Sequence, residues 1–412
     1  MELTITPARL QGNITPPPSK SQAHRQIIAA ALSEGTCQLR NVSFSKDILA
    51  TLGCMEQLGA KWTRLTEDSL QITGIGGKTA VWDSLPHMDC GESGSTLRFL
   101  IPIALAVAGG GSFTGQGRLM ERPQQPYFDL FAEKGIAYTM EDGVLTVRGQ
   151  LQGGLYVLPG NVSSQFFTGL LYALPMLEGD SEIRASTPIE SRSYIDMTVA
   201  ALRESGVTVT ETEHGYLVKG GQTYALRDGS VEADWSQAGF YYAARGLANH
   251  VEITGMNLDS CQGDRVIADY YTALCGEGEV SLDVSDCPDL VPPLAVHGAL
   301  RGAGRVTRIV NGARLRIKES DRLTAVTMVL NALGAKVEEL ADGLVIYGAE
   351  ELEGGVTIDP FNDHRIAMMT AVAATRCRKP VTVTNAACVQ KSYPNFWEDY
   401  QRLGGVITEE TT

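Results

Sequence analysis

The feature that most constrains the fold of this chain is a local pattern that returns along its length at nearly regular intervals. A helical stretch ends at a glycine, a β-rich segment follows, and a short turn leads to a second β-rich segment. The marker glycines are Gly59, Gly135, Gly206, Gly276, Gly334 and Gly404, with a degenerate copy at Gly276 and a truncated one at Gly404. Because glycine suits the left-handed conformation that closes a helix, the pattern predicts six copies of one α/β unit.

A second pattern recurs at a similar spacing. A short polar cluster precedes an apolar helical stretch six times along the chain. The clusters begin at Ser19, Glu92, Ser163, Asp234, Asp286 and Asn362, and the helices that follow include 166–176, 240–247 and 366–374. Serine, aspartate and asparagine are helix N-cap residues. The free N–H groups and the dipole of a helix N-terminus favour anions, so several such ends together predict a site for phosphates or carboxylates.

The composition limits what else the chain does. Its formal net charge of -14 argues against binding nucleic acid through a general basic surface. The N-terminus lacks a basic segment followed by an apolar one, and apolar stretches such as 99–108 are too short to span a bilayer. The eight cysteines stand apart without metal-ligand spacing, so we expect a cytosolic protein with reduced cysteines and no zinc site.

Against this acidic background, the segment 314–322 (Arg-Leu-Arg-Ile-Lys-Glu-Ser-Asp-Arg) packs four cations and two carboxylates together. One interpretation is a surface helix laced by salt bridges, and the other is a site that holds an anion. Cations recur in similar segments, and the candidate set is Lys20, Arg25, Arg122, Lys318, Arg322, Arg365 and Lys391. This set suits substrates that together carry two phosphates and two carboxylates, because arginine binds planar anions and lysine acts as a movable charge.

Two carboxylates, Asp289 and Glu319, lie within these cationic segments. A carboxylate kept beside anionic ligands is expected to have a raised pKa, which suits a general acid or base. The alternative is that each carboxylate only neutralises a neighbouring arginine. The residues leave both interpretations open and favour the catalytic one.

Six motifs follow one another along the chain: S-K-S-x-x-x-R at 19–25, S-S-Q at 163–165, P-D at 288–289, R-x-K-E-S-D-R at 316–322, N-D-H-R at 362–365 and K-S-Y-P at 391–394. Together they resemble the 3-phosphoshikimate 1-carboxyvinyltransferase family, also called 5-enolpyruvylshikimate-3-phosphate synthase, over the whole chain. The resemblance implies an α/β fold of two domains with three repeated units each, at 19–232 and at 1–18 plus 233–412. It also implies hinges near residues 18 and 232. The buried helices of the family direct their N-termini at an interdomain cleft that holds the active site.

The resemblance implies transfer of the enolpyruvyl group of phosphoenolpyruvate to the 5-hydroxyl of shikimate 3-phosphate, with release of phosphate, in the shikimate pathway to chorismate and aromatic amino acids. Carried over by motif, Asp289 is the base at the attacking hydroxyl, Glu319 handles the methylene proton, and Lys20 is a further acid/base. The expected contacts of shikimate 3-phosphate are Lys20, Ser21, Arg25, Ser163, Ser164, Gln165, Ser191, Asp289 and Lys318. The expected contacts of phosphoenolpyruvate are Lys20, Gly94, Arg122, Gln165, Arg322, Arg365 and Lys391, with Arg98 and Tyr194 as further candidates near the substrates.

The resemblance implies no metal and no organic cofactor, because fixed cations stabilise the developing charge. It implies a cytoplasmic monomer whose domains close on the substrates. The chain departs from many members at Glu92-Ser93-Gly94-Ser95, where they have Asn-Ala-Gly-Thr, and at Arg314, where they have Asn. The first departure leaves glyphosate sensitivity open.

Three other functions fit parts of the pattern. The related transferase that acts on UDP-N-acetylglucosamine usually carries a reactive cysteine in a mobile loop, and the corresponding segment 115–123 has none. An RNA 3'-phosphate cyclase needs a nucleophilic histidine, for which His364 is a candidate, but the acidic composition disfavours it. A decayed, non-catalytic anion-binding protein is expected to lose Asp289 or Glu319, and both are present.

Overall fold

The computed structural model describes residues 1–76 and 84–409 and divides the chain into two compact units. The continuous unit runs from Pro18 to Glu232, and the split unit joins Met1–Pro17 to Ala233–Thr412. The chain therefore passes from one unit to the other twice. The split unit begins with strands β1 (Leu3–Thr6) and β2 (Gln11–Ile14). Both units combine helices with small sheets, so the predicted α/β class is confirmed.

In the continuous unit, six α-helices lie among twelve short strands within the described residues. The helices are α1 (Lys20–Leu32), α2 (Lys46–Gln57), α3 (Gly94–Ala108), α4 (Gln125–Lys134), α5 (Ser164–Ala173) and α6 (Arg192–Glu204). The strands are β3 (Thr36–Arg40), β4 (Lys61–Arg64), β5 (Leu70–Thr73), β6 (His87–Asp89), β7 (Gly110–Thr114), β8 (Ala137–Glu141), β9 (Val144–Arg148), β10 (Gly154–Leu158), β11 (Ser181–Ala185), β12 (Val209–Thr212), β13 (Gly215–Val218) and β14 (Gly229–Ser230).

The three sheets of this unit share one pattern of strand pairing, with strand orders β14-β3-β5-β4, β6-β7-β9-β8 and β10-β11-β13-β12. In each sheet the first two strands are parallel and the last two form an antiparallel hairpin. Parallel neighbours need a crossover, which α3 supplies between β6 and β7, and α5 between β10 and β11. The first sheet takes its parallel strand, β14, from the far end of the unit.

The split unit is built from the same elements. Its helices are α7 (Trp235–Gly246), α8 (Ile267–Cys275), α9 (Val291–Ala299), α10 (Arg322–Ala332), α11 (His364–Ala374) and α12 (Phe396–Arg402). Its further strands are β15 (His250–Ile253), β16 (Glu279–Asp283), β17 (Val306–Val310), β18 (Lys336–Glu339), β19 (Leu344–Tyr347), β20 (Leu352–Gly354), β21 (Thr357–Ile358), β22 (Cys377–Lys379), β23 (Val381–Val383) and β24 (Val406–Glu409).

Two sheets of the split unit, β16-β17-β19-β18 and β21-β23-β1-β24, repeat the pattern of strand pairing seen in the continuous unit. Two further parallel pairs join β15 to β2 and β20 to β22. Strand β1 pairs antiparallel with β24, from Leu3 opposite Glu409 to Thr6 opposite Val406. The copy predicted as truncated at Gly404 is therefore completed by the first strand of the chain.

Five of the six marker glycines close a helix in the predicted left-handed conformation, with φ between 68° and 104°. The prediction is wrong for Gly276, which follows α8 with φ -74° and ψ 179°. Because this glycine is extended, the chain runs from the helix into β16, the first strand of the following sheet. The fourth copy therefore has no hairpin of its own.

Each unit has its own hydrophobic core, and α3 and α5 pack against each other at the centre of the continuous unit. Gly169 of α5 permits their close approach, since a Cβ there would lie 2.3 Å from Tyr127 Oη and 2.5 Å from the carbonyl oxygen of Arg98. Within the described residues, no helix combines the length and the apolar character that crossing a membrane requires.

Candidate active site

The predicted polar clusters lie at the N-termini of the core helices. In five of these clusters a side chain accepts a hydrogen bond from a first-turn N–H, and the five are Ser19, Ser93, Ser163, Asp234 and Asp363. The helices predicted at 166–176, 240–247 and 366–374 begin earlier, at Ser164, Trp235 and His364. The cluster that begins at Asp286 departs from the prediction, because a 3-10 turn at Pro288–Leu290 leads into α9 and its cap residue, Leu290, offers no side-chain acceptor. This turn carries Asp289.

Arg25 is buried in the continuous unit and joins α1 to α6. Its guanidinium donates to Thr198 Oγ1 at 2.9 Å and to the carbonyl oxygens of Ser21 and Tyr194 at 2.6 and 2.7 Å. Ser191 stands directly before α6 with a left-handed φ of 53°. The structure thus brings Ser21, Arg25 and the α6 segment together.

A second group in this unit forms at the N-termini of α3 and α5. Arg98 donates to Gln165 Oε1 at 2.9 Å, and Gln165 Nε2 donates to Ser95 Oγ at 3.0 Å. A Cβ on Gly94 would lie 2.9 Å from Arg122 Nη1 and 3.6 Å from Gln165 Oε1. Gly94, Arg122 and Gln165 therefore meet at one place, and a side chain at position 94 would displace the end of Arg122.

In the split unit, an ion-pair cluster is centred on Arg322, whose side chain is only 1% exposed. Its Nη1 donates to Asp289 Oδ1 at 2.9 Å and its Nη2 to Glu319 Oε2 at 2.7 Å. Asp289 also accepts from Arg365 Nη2 at 2.9 Å and lies 3.7 Å from Lys318 Nζ. The carboxylates of Asp289 and Glu319 keep 21% and 19% exposure, so a ligand in solution can reach both.

Asp363 holds the opposite edge of the Arg322 guanidinium and is fully buried. It accepts from Arg322 Nε at 2.9 Å and from Ser320 Oγ at 3.0 Å, and it caps α11. Asn362, just before it, has a left-handed φ of 53°, and its carbonyl oxygen accepts from Lys391 Nζ at 2.6 Å. Non-glycine residues adopt this conformation at a cost, and such strain is concentrated at functional sites.

The electrostatics of Asp289 correct one expectation from the sequence. Burial raises the pKa of Asp289, but the charges of Arg365, Lys318 and Arg322 outweigh burial and hold this pKa well below its usual range. The sequence predicts a raised pKa for a carboxylate in these segments, whereas the protein's own cations lower the pKa of Asp289. Burial in turn lowers the pKa of the Lys318 ammonium, against the opposing charges of Asp289 and Glu319.

The segment 314–322 is divided between the two interpretations given for it. It forms a 3-10 turn at Ala313–Ile317 and then enters α10 at Arg322, so it is not one surface helix. Arg316 does fit the salt-bridge interpretation, because it pairs with Asp321 at 3.0 Å and with Glu339 at 2.7 Å near the surface. Lys318, Glu319 and Arg322 belong to the ion-pair cluster centred on Arg322.

Two carboxylates, Asp363 and Asp47, pair with candidate site residues but were not singled out from the sequence. Asp363 was expected only as part of a capping cluster, yet it anchors Arg322. Asp47, in the first turn of α2, pairs with Lys20 Nζ at 2.8 Å. An acidic residue in a first helical turn is too common to single out, and its partner lies on another helix.

Comparison with known proteins covers nearly the whole chain. The profile of EPSP synthase (3-phosphoshikimate 1-carboxyvinyltransferase) matches residues 5–400. The chain belongs to the EPSP synthase family. Two relatives named 3-phosphoshikimate 1-carboxyvinyltransferase come from Clostridium beijerinckii and Clostridium acetobutylicum. The first is 42% identical over 430 residues, which cover 99% of this chain and 98% of the relative. The second is 44% identical over 422 residues, which cover 98% of each. The family predicted from the six motifs is confirmed.

Solved structures give the same result for the fold. An EPSP synthase from Acinetobacter baumannii superimposes with a TM-score of 0.80 at 24% identity, over 99% of this chain and all of the other. The enolpyruvyl transferase NikO from Streptomyces tendae superimposes with a TM-score of 0.78 at 16% identity, over 99% and 98% of the two chains. The likeness to NikO shows that the fold is shared with another enolpyruvyl transferase, so the substrate must be argued from family and residues.

Proposed function

We propose that this EPSP synthase family member transfers the enolpyruvyl group of phosphoenolpyruvate to the 5-hydroxyl of shikimate 3-phosphate and releases phosphate. The observation that carries the proposal is the Arg322 cluster, in which two partly exposed carboxylates, Asp289 and Glu319, share one buried guanidinium. Family membership supports the choice of substrates. The wider function is a step in the synthesis of chorismate and the aromatic amino acids.

The chemistry is an addition followed by an elimination. A proton joins the methylene carbon of phosphoenolpyruvate, and the 5-hydroxyl oxygen attacks the neighbouring carbon as its own proton leaves for Asp289. The tetrahedral intermediate then expels phosphate while the new methyl group gives up a proton and the double bond reforms. Glu319 handles the methylene proton, and Lys20 acts as a further acid/base. Fixed cations stabilise the charge that develops, so neither a metal nor an organic cofactor has a role in this scheme.

In this proposal, each substrate is bound by residues from both units. We assign shikimate 3-phosphate to Lys20, Ser21, Arg25, Ser163, Ser164, Gln165, Ser191, Asp289 and Lys318. We assign phosphoenolpyruvate to Lys20, Gly94, Arg122, Gln165, Arg322, Arg365 and Lys391. The support is that the residues of each unit lie in compact groups at helix N-termini, where backbone N–H groups and side-chain cations act together on anions.

Because each substrate draws residues from both units, we propose that the units close on the substrates, with the chain crossings near residues 18 and 232 as hinges. We further propose a cytoplasmic monomer. Small-angle scattering with and without both substrates tests closure, and an unchanged radius of gyration on saturation contradicts it. Sedimentation at several protein concentrations tests the monomer.

The decisive experiment measures phosphate release from phosphoenolpyruvate with and without shikimate 3-phosphate. We expect release only with shikimate 3-phosphate, and its loss in Asp289→Ala. The matched control is Asp283→Ala, which removes a nearby exposed aspartate that bonds to Asn311 instead of to the cluster. Phosphate release with UDP-N-acetylglucosamine in place of shikimate 3-phosphate would reassign the acceptor. The absence of phosphate release with either acceptor would overturn the proposed function.

A further inference from the structure

A chain of four buried polar side chains crosses the core of the continuous unit. His24 Nδ1 lies 2.7 Å from Thr51 Oγ1, Thr51 Oγ1 lies 2.7 Å from Thr96 Oγ1, and Thr96 Oγ1 donates to Ser93 Oγ at 2.8 Å. Each of these residues is at most 1% exposed. Burying this many polar groups is costly unless each finds a partner, so the chain of hydrogen bonds needs a structural reason.

The hydrogen bonds run in one direction, and the direction fixes the tautomer of His24. The hydroxyl hydrogen of Thr96 is committed to Ser93, so the 2.7 Å contact between Thr51 and Thr96 takes the hydrogen of Thr51. Thr51 then has only an acceptor to offer, and His24 must donate from Nδ1. Nε2 of His24 is left as the unprotonated nitrogen, and it has no hydrogen-bond partner among the described residues.

The surroundings of His24 keep its ring neutral. Burial lowers the pKa of His24 well below its usual value, and the positive charges of Lys20 and Arg25 on the same helix lower it further. The edge of the ring meets Phe99 of α3, at 6.4 Å between centroids and 88° between planes. A proton on Nε2 would therefore be a buried charge beside an apolar ring and two cations.

One end of this hydrogen-bonded path, Ser93, directly precedes Gly94, and the other end, His24, stands one turn after Lys20 on α1. Ser93 caps α3 and accepts from the Thr96 N–H at 3.1 Å, directly before Gly94. Thr51 stands one turn after Asp47 on α2, and Asp47 pairs with Lys20 on α1. The hydrogen bonds therefore connect the segment of Lys20 with the segment of Gly94. Apart from Nε2 of His24, the polar atoms along this path have partners, and a buried hydrogen-bond network makes the elements that it joins more rigid.

We propose that His24, as the neutral Nδ1–H tautomer, is a positioning residue that acts through Thr51 and Thr96 to fix Ser93 and, with it, Gly94. This rests on the proposed function, in which Gly94 and Arg122 contact phosphoenolpyruvate. A shift of Gly94 changes its approach to Arg122, because the position of a Cβ on Gly94 lies 2.9 Å from that guanidinium. The consequence is a selective effect on phosphoenolpyruvate.

The tautomer is tested without substrates by nitrogen NMR of protein labelled in histidine, with the His24 signals assigned from their loss in His24→Asn. We expect a protonated Nδ1 and an unprotonated Nε2 at neutral pH. Protonation of Nε2, alone or together with Nδ1, overturns the proposal. Because the NMR measurement does not depend on enzymatic activity, it tests the tautomer even if the proposed function is wrong.

The positioning role is tested by Thr51→Val, which keeps the shape of the side chain and breaks the chain at its centre. We expect the KM for phosphoenolpyruvate to rise about three- to tenfold, as the loss of one buried hydrogen bond implies. We expect the KM for shikimate 3-phosphate to stay within about twofold of the wild-type value. We expect Thr51→Ser, which keeps the hydroxyl, to have wild-type KM values for both substrates. Thr370→Val is the matched control, since the Thr370 hydroxyl is equally buried and bonds to Ile366 O of its own helix.

Two outcomes overturn the positioning role. In the first, Thr51→Val lowers the thermal midpoint but leaves both KM values unchanged, which would mean that the network has a purely structural role. Alternatively, Thr370→Val raises the KM for phosphoenolpyruvate as much as Thr51→Val does. An inactive wild-type chain counts against the proposed function instead, and the NMR result then decides the tautomer alone.

Discussion

Replacement of Asp363 by alanine is expected to destabilise the split unit far more than the loss of a helix cap does. Asp363 is fully buried, and its carboxylate neutralises one edge of Arg322, which is itself 1% exposed. Removal of one partner of a buried ion pair costs about 3–5 kcal/mol, because the remaining charge is left uncompensated. Arg322 keeps Asp289 and Glu319, so the lower end of this range applies, and loss of the cap on α11 adds about 1 kcal/mol.

The matched control is Asp321→Ala, which removes the cap of the neighbouring helix α10 and a surface pair with Arg316. Both side chains of that pair are about one-third exposed, so the pair contributes at most about 1 kcal/mol and the cap another 1 kcal/mol. We therefore expect Asp363→Ala to be the more destabilising variant by about 2 kcal/mol.

The assay is equilibrium urea unfolding of the wild type and both variants, followed by far-ultraviolet circular dichroism at neutral pH. The free energy of unfolding of the split unit is compared among the three proteins. If the variants differ by less than about 1 kcal/mol, the charge of Arg322 is compensated without Asp363, and the reasoning from burial is refuted.

The remaining predictions concern the site, the pH dependence and the core. Gly94→Ala is expected to raise the KM for phosphoenolpyruvate about tenfold, because its Cβ would meet Arg122 at 2.9 Å, and steady-state kinetics checks this. Burial, and next the charge of Arg301, lower the pKa of His297 to about 4. The unfolded histidine has the higher pKa of about 6.5, so stability is lost as pH falls below 6.5, by about 3 kcal/mol at pH 4. Urea unfolding between pH 7 and pH 4.5 should show that His297→Gln removes this loss. Gly169→Ala should destabilise by about 1–3 kcal/mol through overpacking, whereas Gly53→Ala in α2, which has open space around it, should stabilise by up to about 1 kcal/mol, as thermal unfolding will show.

The parts of the fold that follow from short-range rules were predictable from the sequence. Capping side chains and helix-closing glycines act within a few residues, so Ser19, Ser93 and Ser163 marked helix starts correctly. The pairing of β1 with β24 joins the two ends of the chain, and no local pattern carries that information. The prediction of a left-handed conformation at Gly276 was wrong for a local reason, because a glycine does not by itself decide which backbone conformation it adopts.

Composition of the site was predictable, but its charge balance was not. The motifs named Asp289, Glu319, Lys318, Arg322 and Arg365, and the structure brings all five into one cluster. Whether a carboxylate there has a raised or lowered pKa depends on distances to each cation, which sequence order does not give. The anchoring role of a buried carboxylate likewise depends on contacts between different helices.

The lowered pKa of Asp289 is compatible with a role as base once the charges of the cluster are counted. Three carboxylates, Asp289, Glu319 and Asp363, meet three cations, Lys318, Arg322 and Arg365, so the cluster has no net charge. Under the proposed function, phosphoenolpyruvate recruits the two arginines. Asp289 then keeps Lys318 but loses part of the positive charge that lowers its pKa, and it gains an anionic neighbour, and both changes raise that pKa. Under the same proposal, substrate binding turns Asp289 from a counterion into a base, while the fully buried Asp363 keeps Arg322 in position.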